Sequence, residues 1–340
     1  MGSAGRTAVC RLLLSLAIAA VVALDGCAPK PQTTAGRPAF RVALLTPGPV
    51  SDAGWNASAF EGLQLIKSRL GAETAMVQTT SPADFDDAFR DFASRGFNLI
   101  FANGFEYTDA AIQAGRDFPH TYFIVSSGSR SSANVASVSF ALEQATYTEG
   151  VLAGAMSKTG IAGAIGGIEL PAIKLTFEGF RLGFASVRPS GHVLISYTGS
   201  FEDVGAAKEA ALAEISRGAD FLIHNADAAG LGVLQAAQER HVYVFGAYRN
   251  QNVVATQATL ASAVVDVPDA FLKIATEVKA GTFHPGMLTF GMRDNMVKVV
   301  FNPQLRDQIP AAAMERVKLA EQGIVSGTIK LPELPVAKSP

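Results

Sequence analysis

The sequence predicts an α/β protein built from two similar, doubly wound halves, each a parallel sheet covered by helices. Three observations carry this. Short apolar runs alternate with amphipathic stretches along the chain, the pattern of βαβ units. The runs are almost continuously apolar, as strands buried on both faces are. With 340 residues, 49% hydrophobic and 17% charged, the chain has apolar surface for a large core and length for about two domains. Lys plus Arg at 28 against Asp plus Glu at 30 gives a net charge of −2, which excludes the basic footprint of a nucleic-acid binder.

The first segment precedes the fold. Arg6 and Arg11 lead into an apolar run from Leu12 to Leu24, the core of a signal peptide and shorter than the ~20 residues of a spanning helix. Leu24-Asp25-Gly26-Cys27 is similar to a bacterial lipoprotein processing site, with Cys27 the lipidated residue; Asp25 departs from the usual small or apolar residue. An ordinary secretory signal with an incidental cysteine is the alternative. Cys10 lies in the discarded segment, so cleavage leaves one cysteine and no intramolecular disulfide. Residues 28–38, rich in Pro, Thr and small residues, read as a tether.

From Phe40 the elements follow in order. Strands are expected at Arg41–Thr46, Thr74–Thr79, Asn98–Ala102 and Thr121–Val125, separated by helices at Ser58–Leu70, Pro82–Arg95, where Pro82 sits in the first turn, and Thr108–Asp117. A second series follows: helix Glu143–Lys158, strand Ile161–Ile165, helix Ala172–Val187, strand His192–Tyr197, helix Val204–Arg217, strand Asp220–His224, helix Gly230–Arg240 and strand Val242–Phe245. In open α/β sheets ligands bind beyond the carboxyl ends of strands, so the loops after Thr46, Ala102, Ile165, Tyr197, His224 and Phe245 are the candidate site.

The loop after the first strand carries Asp52, Trp55 and Asn56, and Trp55 is the only tryptophan. An indole on a polar loop suits stacking on a flat ring, with Asp52 and Asn56 placed to hydrogen-bond the ring's edge. The alternative is Asn56 or Ser58 as a helix cap with Trp55 packed as a staple. Asp109 begins a helix and either contacts a ligand or complements the helix dipole. Phe201 follows the Tyr197 strand, and Gly230 opens a helix after a small-residue turn; one aromatic from each half would sandwich a planar ligand. Catalytic signatures are missing: no G-x-S-x-G, H-E-x-x-H, C-x-x-C or P-loop lysine occurs, and the five histidines lack metal-ligand spacing. Neither a metal nor a cofactor is expected.

Several strand-end segments together resemble one family. They include Asp52-Ala53-Gly54-Trp55-Asn56, Gly104-Phe105 through Asp109-Ala110, Phe177-Glu178-Gly179-Phe180, Tyr197 through Asp203, and Gly230-Leu231-Gly232. From about Phe40 to Pro332 the chain is similar to the basic membrane protein family, lipoprotein substrate-binding components of ABC transporters for purine nucleosides. The resemblance implies a type I periplasmic-binding fold. Its first lobe would span 40–135 and 248–282 and its second 136–247 and 283–325, after a signal peptide (1–26) and tether (27–39) and before a tail (326–340). The crossings would fall near 128–140, 247–252 and 281–286.

The resemblance also implies Trp55 and Phe201 as stacking residues and Asn56 and Asp109 as base-edge contacts, with a small-molecule ligand, an ABC permease and, through lipid, a membrane as partners. Two positions depart from the family pattern. Tyr248 stands where an aspartate usually holds the ribose hydroxyls, and Val265 where a lysine is usual. A site without those polar partners holds a sugar diol less well, so a free purine-like base is expected as readily as a nucleoside. A ligand sensor or surface lipoprotein without transport, and a nucleoside hydrolase, are the rival readings.

Overall fold

The computed structural model describes residues 39–51 and 54–333. The signal segment, the tether with Cys27, Asp52 and residues 334–340 lie outside them.

Two six-stranded sheets organise the chain. The first contains β1 (Arg41–Thr46), β2 (Glu73–Gln78), β3 (Leu99–Ala102), β4 (Tyr122–Ser126), β5 (Val135–Phe140) and β11 (Met287–Phe290), in the order β11-β5-β4-β3-β1-β2. Every pairing in it is parallel. The second contains β6 (Ile161–Gly166), β7 (His192–Tyr197), β8 (Phe221–Asn225), β9 (Tyr243–Tyr248), β10 (Thr259–Val265) and β12 (Val297–Phe301). Its order is β12-β10-β9-β8-β6-β7, parallel except for β10 against β12. Two such sheets, each covered by helices, are the two-lobed type I periplasmic-binding architecture that the resemblance implies.

Helices α1 (Trp55–Leu70), α2 (Pro82–Ser94), α3 (Thr108–Asp117) and α8 (Val267–Ala280) cover the first sheet. The second is covered by α4 (Leu142–Met156), α5 (Pro171–Val187), α6 (Val204–Ser216), α7 (Gly230–Arg240) and α9 (Ala311–Ser326). Alternate residues of a strand point to opposite faces, and both faces are buried. Val42 and Leu44 join one core cluster while Ala43 and Leu45 join another. In the second sheet Phe221 and Ile223 face one cluster and Leu222 the other. The second lobe packs α4 on α5 backbone to backbone: a Cβ at Gly150 would collide with the Phe180 carbonyl oxygen, and one at Gly183 with that of Tyr147.

The sheets divide the chain later than expected. β5 belongs to the first sheet, so the first crossing follows Phe140. Residues 248–265, expected in the first lobe, end β9 and form β10 of the second sheet, so the second crossing follows Val265. β11, expected in the second lobe, is an edge strand of the first sheet paired with β5, and the third crossing lies between Phe290 and Val297. Strands buried on both faces look alike in sequence, so sheet membership is decided by pairing partners far along the chain.

Candidate functional site

Carboxyl ends of β1, β3, β8 and β9 meet where the lobes face each other. Trp55 is the first residue of α1, behind Gly54, which caps the helix without a side-chain bond. Its indole Nε1–H donates to the Asn103 carbonyl at the end of β3, 3.3 Å away. Asn103 Nδ2 donates in turn to Asn56 Oδ1 at 3.2 Å, and Asn56 is buried. Ser58 Oγ donates back to the Gly54 carbonyl at 3.0 Å. Neither Asn56 nor Ser58 is therefore a helix cap; the amide of Asn56 ties the start of α1 to the end of β3, where Asn103 also receives the indole N–H.

The half-buried Trp55 ring meets Tyr248, at the end of β9, with centroids 5.5 Å apart and planes tilted by 60°. On another side Phe140 meets it edge-on at 6.3 Å. Tyr248 has φ of 62°, left-handed and uncommon for a bulky residue. Burial pushes its phenol up to about 12, opposed by a hydrogen bond with Asn225. Beneath it a cavity of about 30 Å³ is bordered by Gly54, His224, Asp227, Leu231, Tyr248 and Gln251. That is room for about one water.

His224 lies beneath this junction. Its ring packs on Gly230, where a Cβ would collide with it, so the turn into α7 needs a glycine there. Nε2 lies 2.9 Å from Gln251 Oε1, which also accepts the Ala247 N–H at 2.9 Å. An oxygen accepting from both makes His224 the Nε2–H tautomer. Burial pulls its pKa down to about 4, only partly offset by Gln251, so the ring is neutral near pH 7.

The sequence-derived candidates are partly brought together. Trp55, Asn56 and Tyr248 share one junction, and Gly230 lies one ring away through His224. Phe201 belongs to the second lobe, half-buried with its ring over Gly167, where a Cβ would strike it. Asp109 is not gathered in: its side chain is 88% exposed and pairs with Arg130 in the first turn of α3, where its charge complements the helix dipole. Asp52 lies outside the described residues. Asn103, Phe140, Arg249 and Gln251 also stand at the junction and were not singled out from the sequence; the signal for Asn103, Arg249 and Gln251 was their position after the Ala102 and Phe245 strand ends. Among the described residues no group of three or more His, Cys, Asp or Glu is arranged to hold a metal ion. No described helix is long and apolar enough to cross a membrane.

The two lobes thus face each other at their strand ends, with Trp55, Phe140 and Tyr248 gathered at the junction. The profile of the Bmp family, ABC transporter substrate-binding protein PnrA-like, matches residues 39–335, and the chain belongs to that family. A purine-binding protein of Brucella abortus is 27% identical over 297 residues, covering 86% of this chain and 84% of the relative. The ABC transporter nucleoside-binding protein BmpA of Lactococcus lactis is 28% identical, covering 94% and 97%. Among solved structures, an ABC transporter solute-binding protein from Conexibacter woesei is similar with a TM-score of 0.69 and 26% identity, covering 86% of this chain and 99% of that one. The family consists of binding proteins, not enzymes, in line with the missing catalytic signatures. A small-molecule ligand and a permease are the partners of this class, whose members are exported.

Proposed function

We propose that the chain is the lipoprotein receptor of an ABC importer, anchored through Cys27, and that it captures a planar heteroaromatic ligand, a purine base or a nucleoside, without chemical change. The observation that carries this reading is the placement of Trp55: its N–H is fixed to Asn103 and its ring stands at the junction of the lobes. An indole held this way offers a stacking face of fixed orientation, which any flat conjugated ring can use. Asn56 lies beside it as the base-edge group, and Phe201 is the second lobe's aromatic. Asp109, committed to Arg130, is left out.

The names of the Brucella and Lactococcus relatives support the ligand class. Tyr248 in place of a ribose-binding carboxylate supports a base as readily as a nucleoside. Ligand binding bridges the lobes and shifts the population toward the closed form that a permease recognises. Thermal-shift screening of purine bases, nucleosides and pyrimidines, followed by calorimetry, tests this. A purine that raises the melting temperature with the logarithm of its concentration supports the reading. A panel in which no purine base or nucleoside stabilises the protein, or in which free pyrimidines alone do, refutes it.

A further inference from the structure

Consecutive residues, the last of β9 and the one after it, each reach across the mouth of the junction to the other lobe. Tyr248 packs on Trp55, and the Arg249 guanidinium donates to Glu61 Oε1 of α1 at 2.7 Å. Tyr248 and Arg249 leave the second sheet, whereas Trp55 and Glu61 belong to the first lobe. The left-handed backbone at Tyr248 is held by a polar network. Besides its side-chain bonds to Ala247 and His224, Gln251 donates its backbone N–H to Ser262 Oγ at 3.1 Å. Ser262 Oγ donates to Asn252 Oδ1 at 2.8 Å, and Asn252 Nδ2 donates to the Val300 carbonyl at 2.9 Å. Every link is anchored in the second sheet, so the turn is rigid where it presents its two side chains. An unfavourable backbone angle kept by this much surrounding structure points to a role for the residue that bears it.

We propose that Tyr248 and Arg249 form a clasp that closes the lobes on the chain's own side chain. The tilted Tyr248 ring stands against the indole on which a planar guest would stack, and Arg249 fastens the closed form to Glu61. A guest must displace the phenol, which makes Tyr248 a specificity-determining residue. A fused two-ring ligand covers more of the indole than a phenol does and displaces it; a single ring covers no more and does not. Competition from the clasp lowers the apparent affinity in proportion to the fraction of molecules it holds shut. The specificity half of this rests on the reading of Trp55 as the ligand platform; the closure half does not.

The test begins without ligand. Small-angle scattering gives the radius of gyration, and the emission of Trp55, the only tryptophan, reports its surroundings. Arg249→Glu should open the lobes, raising the radius of gyration and shifting the emission to the red. The charge-swapped pair Arg249→Glu with Glu61→Arg should return both toward wild type. Tyr248→Gly removes the ring while suiting the left-handed backbone, so the fold is kept; circular dichroism and the melting temperature verify that. It should shift the emission to the red and tighten binding of adenine or adenosine by about threefold or more. If Arg249→Glu leaves the scattering and emission of wild type unchanged, the clasp is refuted. Purine affinity equal in wild type and Tyr248→Gly refutes its specificity role. If the ligand-free results hold and no purine binds any variant, the clasp stands and the purine reading falls.

Discussion

The two lobes share a strand order, but their interiors differ in what they bury. In the first, the buried polar side chains among the described residues are hydroxyls and amides, such as Thr46, Asn103, Ser126 and Asn134. The second buries Glu143, Glu149, Glu214 and His224. Desolvation pushes Glu143 and Glu214 up to about 7 and Glu149 well above the ordinary carboxylate range, while it pulls His224 down to about 4. Each is thereby kept closer to its neutral form. The buried polar groups that hold Trp55 in the first lobe, Asn56 and Asn103, are amides that do not titrate, although desolvation also raises the half-buried Glu106 after the same strand. The second lobe, which supplies the turn facing Trp55, has an interior whose stability follows proton uptake.

The largest effect expected from this contrast is a cavity in the first lobe. Phe101 on β3 is fully buried and stacks on Phe271 of α8 at 4.0 Å, with planes 14° apart. Phe101→Ala should lower stability by ~3–5 kcal/mol in urea unfolding. The loss should be the same at pH 5 and pH 8, because neither ring titrates and what is lost is apolar packing. A loss that changes with pH between those values would break the comparison.

Glu214 provides the opposite case. It is almost fully buried and accepts the Ser196 hydroxyl at 2.7 Å. Its folded pKa of about 7 exceeds the ordinary 4.5, so between these values the folded state holds more protons than the unfolded one. Stability contributed by the protonated form is full below pH 4.5 and is lost as pH rises through 7. Glu214→Gln does not titrate, so its stability relative to wild type should grow across that window by on the order of 3 kcal/mol. His224 runs the other way. The folded ring stays neutral down to about pH 4 while the unfolded one protonates near 6.5, so its contribution is full above 6.5 and is lost as pH falls toward 4. His224→Gln should remove that decline. Denaturant midpoints measured from pH 4 to 8 check both slopes.

A smaller effect is expected on binding. Trp55→Ala should weaken a purine that binds wild type by about tenfold to a hundredfold, the ~1–3 kcal/mol of one aromatic stacking partner. Asp109→Ala should change the affinity less than about twofold, since an exposed, ion-paired carboxylate contributes little. Calorimetry with the same ligand separates the two. Equal losses would return Asp109 to the site and weaken the case for a platform built at the β1 and β3 ends.

Much of this architecture is legible in the sequence. Arg41–Thr46, Thr108–Asp117, His192–Tyr197 and Gly230–Arg240 form with the bounds their patterns predict. Local signals set these bounds: apolar runs stop at turn residues, and a glycine or threonine opens the helix. The crossings were not legible, because Thr259–Val265 reads as one more buried strand and joins the second sheet through β9 and β12, from either side in sequence. In the site, Trp55 stood out because a tryptophan on a polar loop is unusual. The pairing of Arg249 with Glu61 could not be read, because it links residues 188 positions apart. Nor could the left-handed turn at Tyr248, since nothing local favours that backbone for a tyrosine.

The smallest expected effect lies at the edge of the first lobe, where stability comes from local chemistry alone. Ser81 caps α2 by accepting the Asp84 N–H at 3.3 Å, and Asp84 Oδ2 accepts the Ser81 N–H at 2.9 Å, a reciprocal capping box ahead of Pro82. Ser81→Ala removes one acceptor and leaves the other in place, so the loss should be about 1 kcal/mol or less. The hydrogen bond from Ser81 and the backbone N–H of Thr80 hold the Asp84 carboxyl below its usual range. Its share of the cap is present above the ordinary Asp pKa and is lost as pH falls through the lowered one. Denaturant unfolding of Ser81→Ala and Asp84→Asn should therefore show a loss for the serine variant at every pH. For the asparagine variant the loss should shrink in acid. If it persists undiminished in acid, the surface of the first lobe is not governed by the local hydrogen bonds that organise its helix ends.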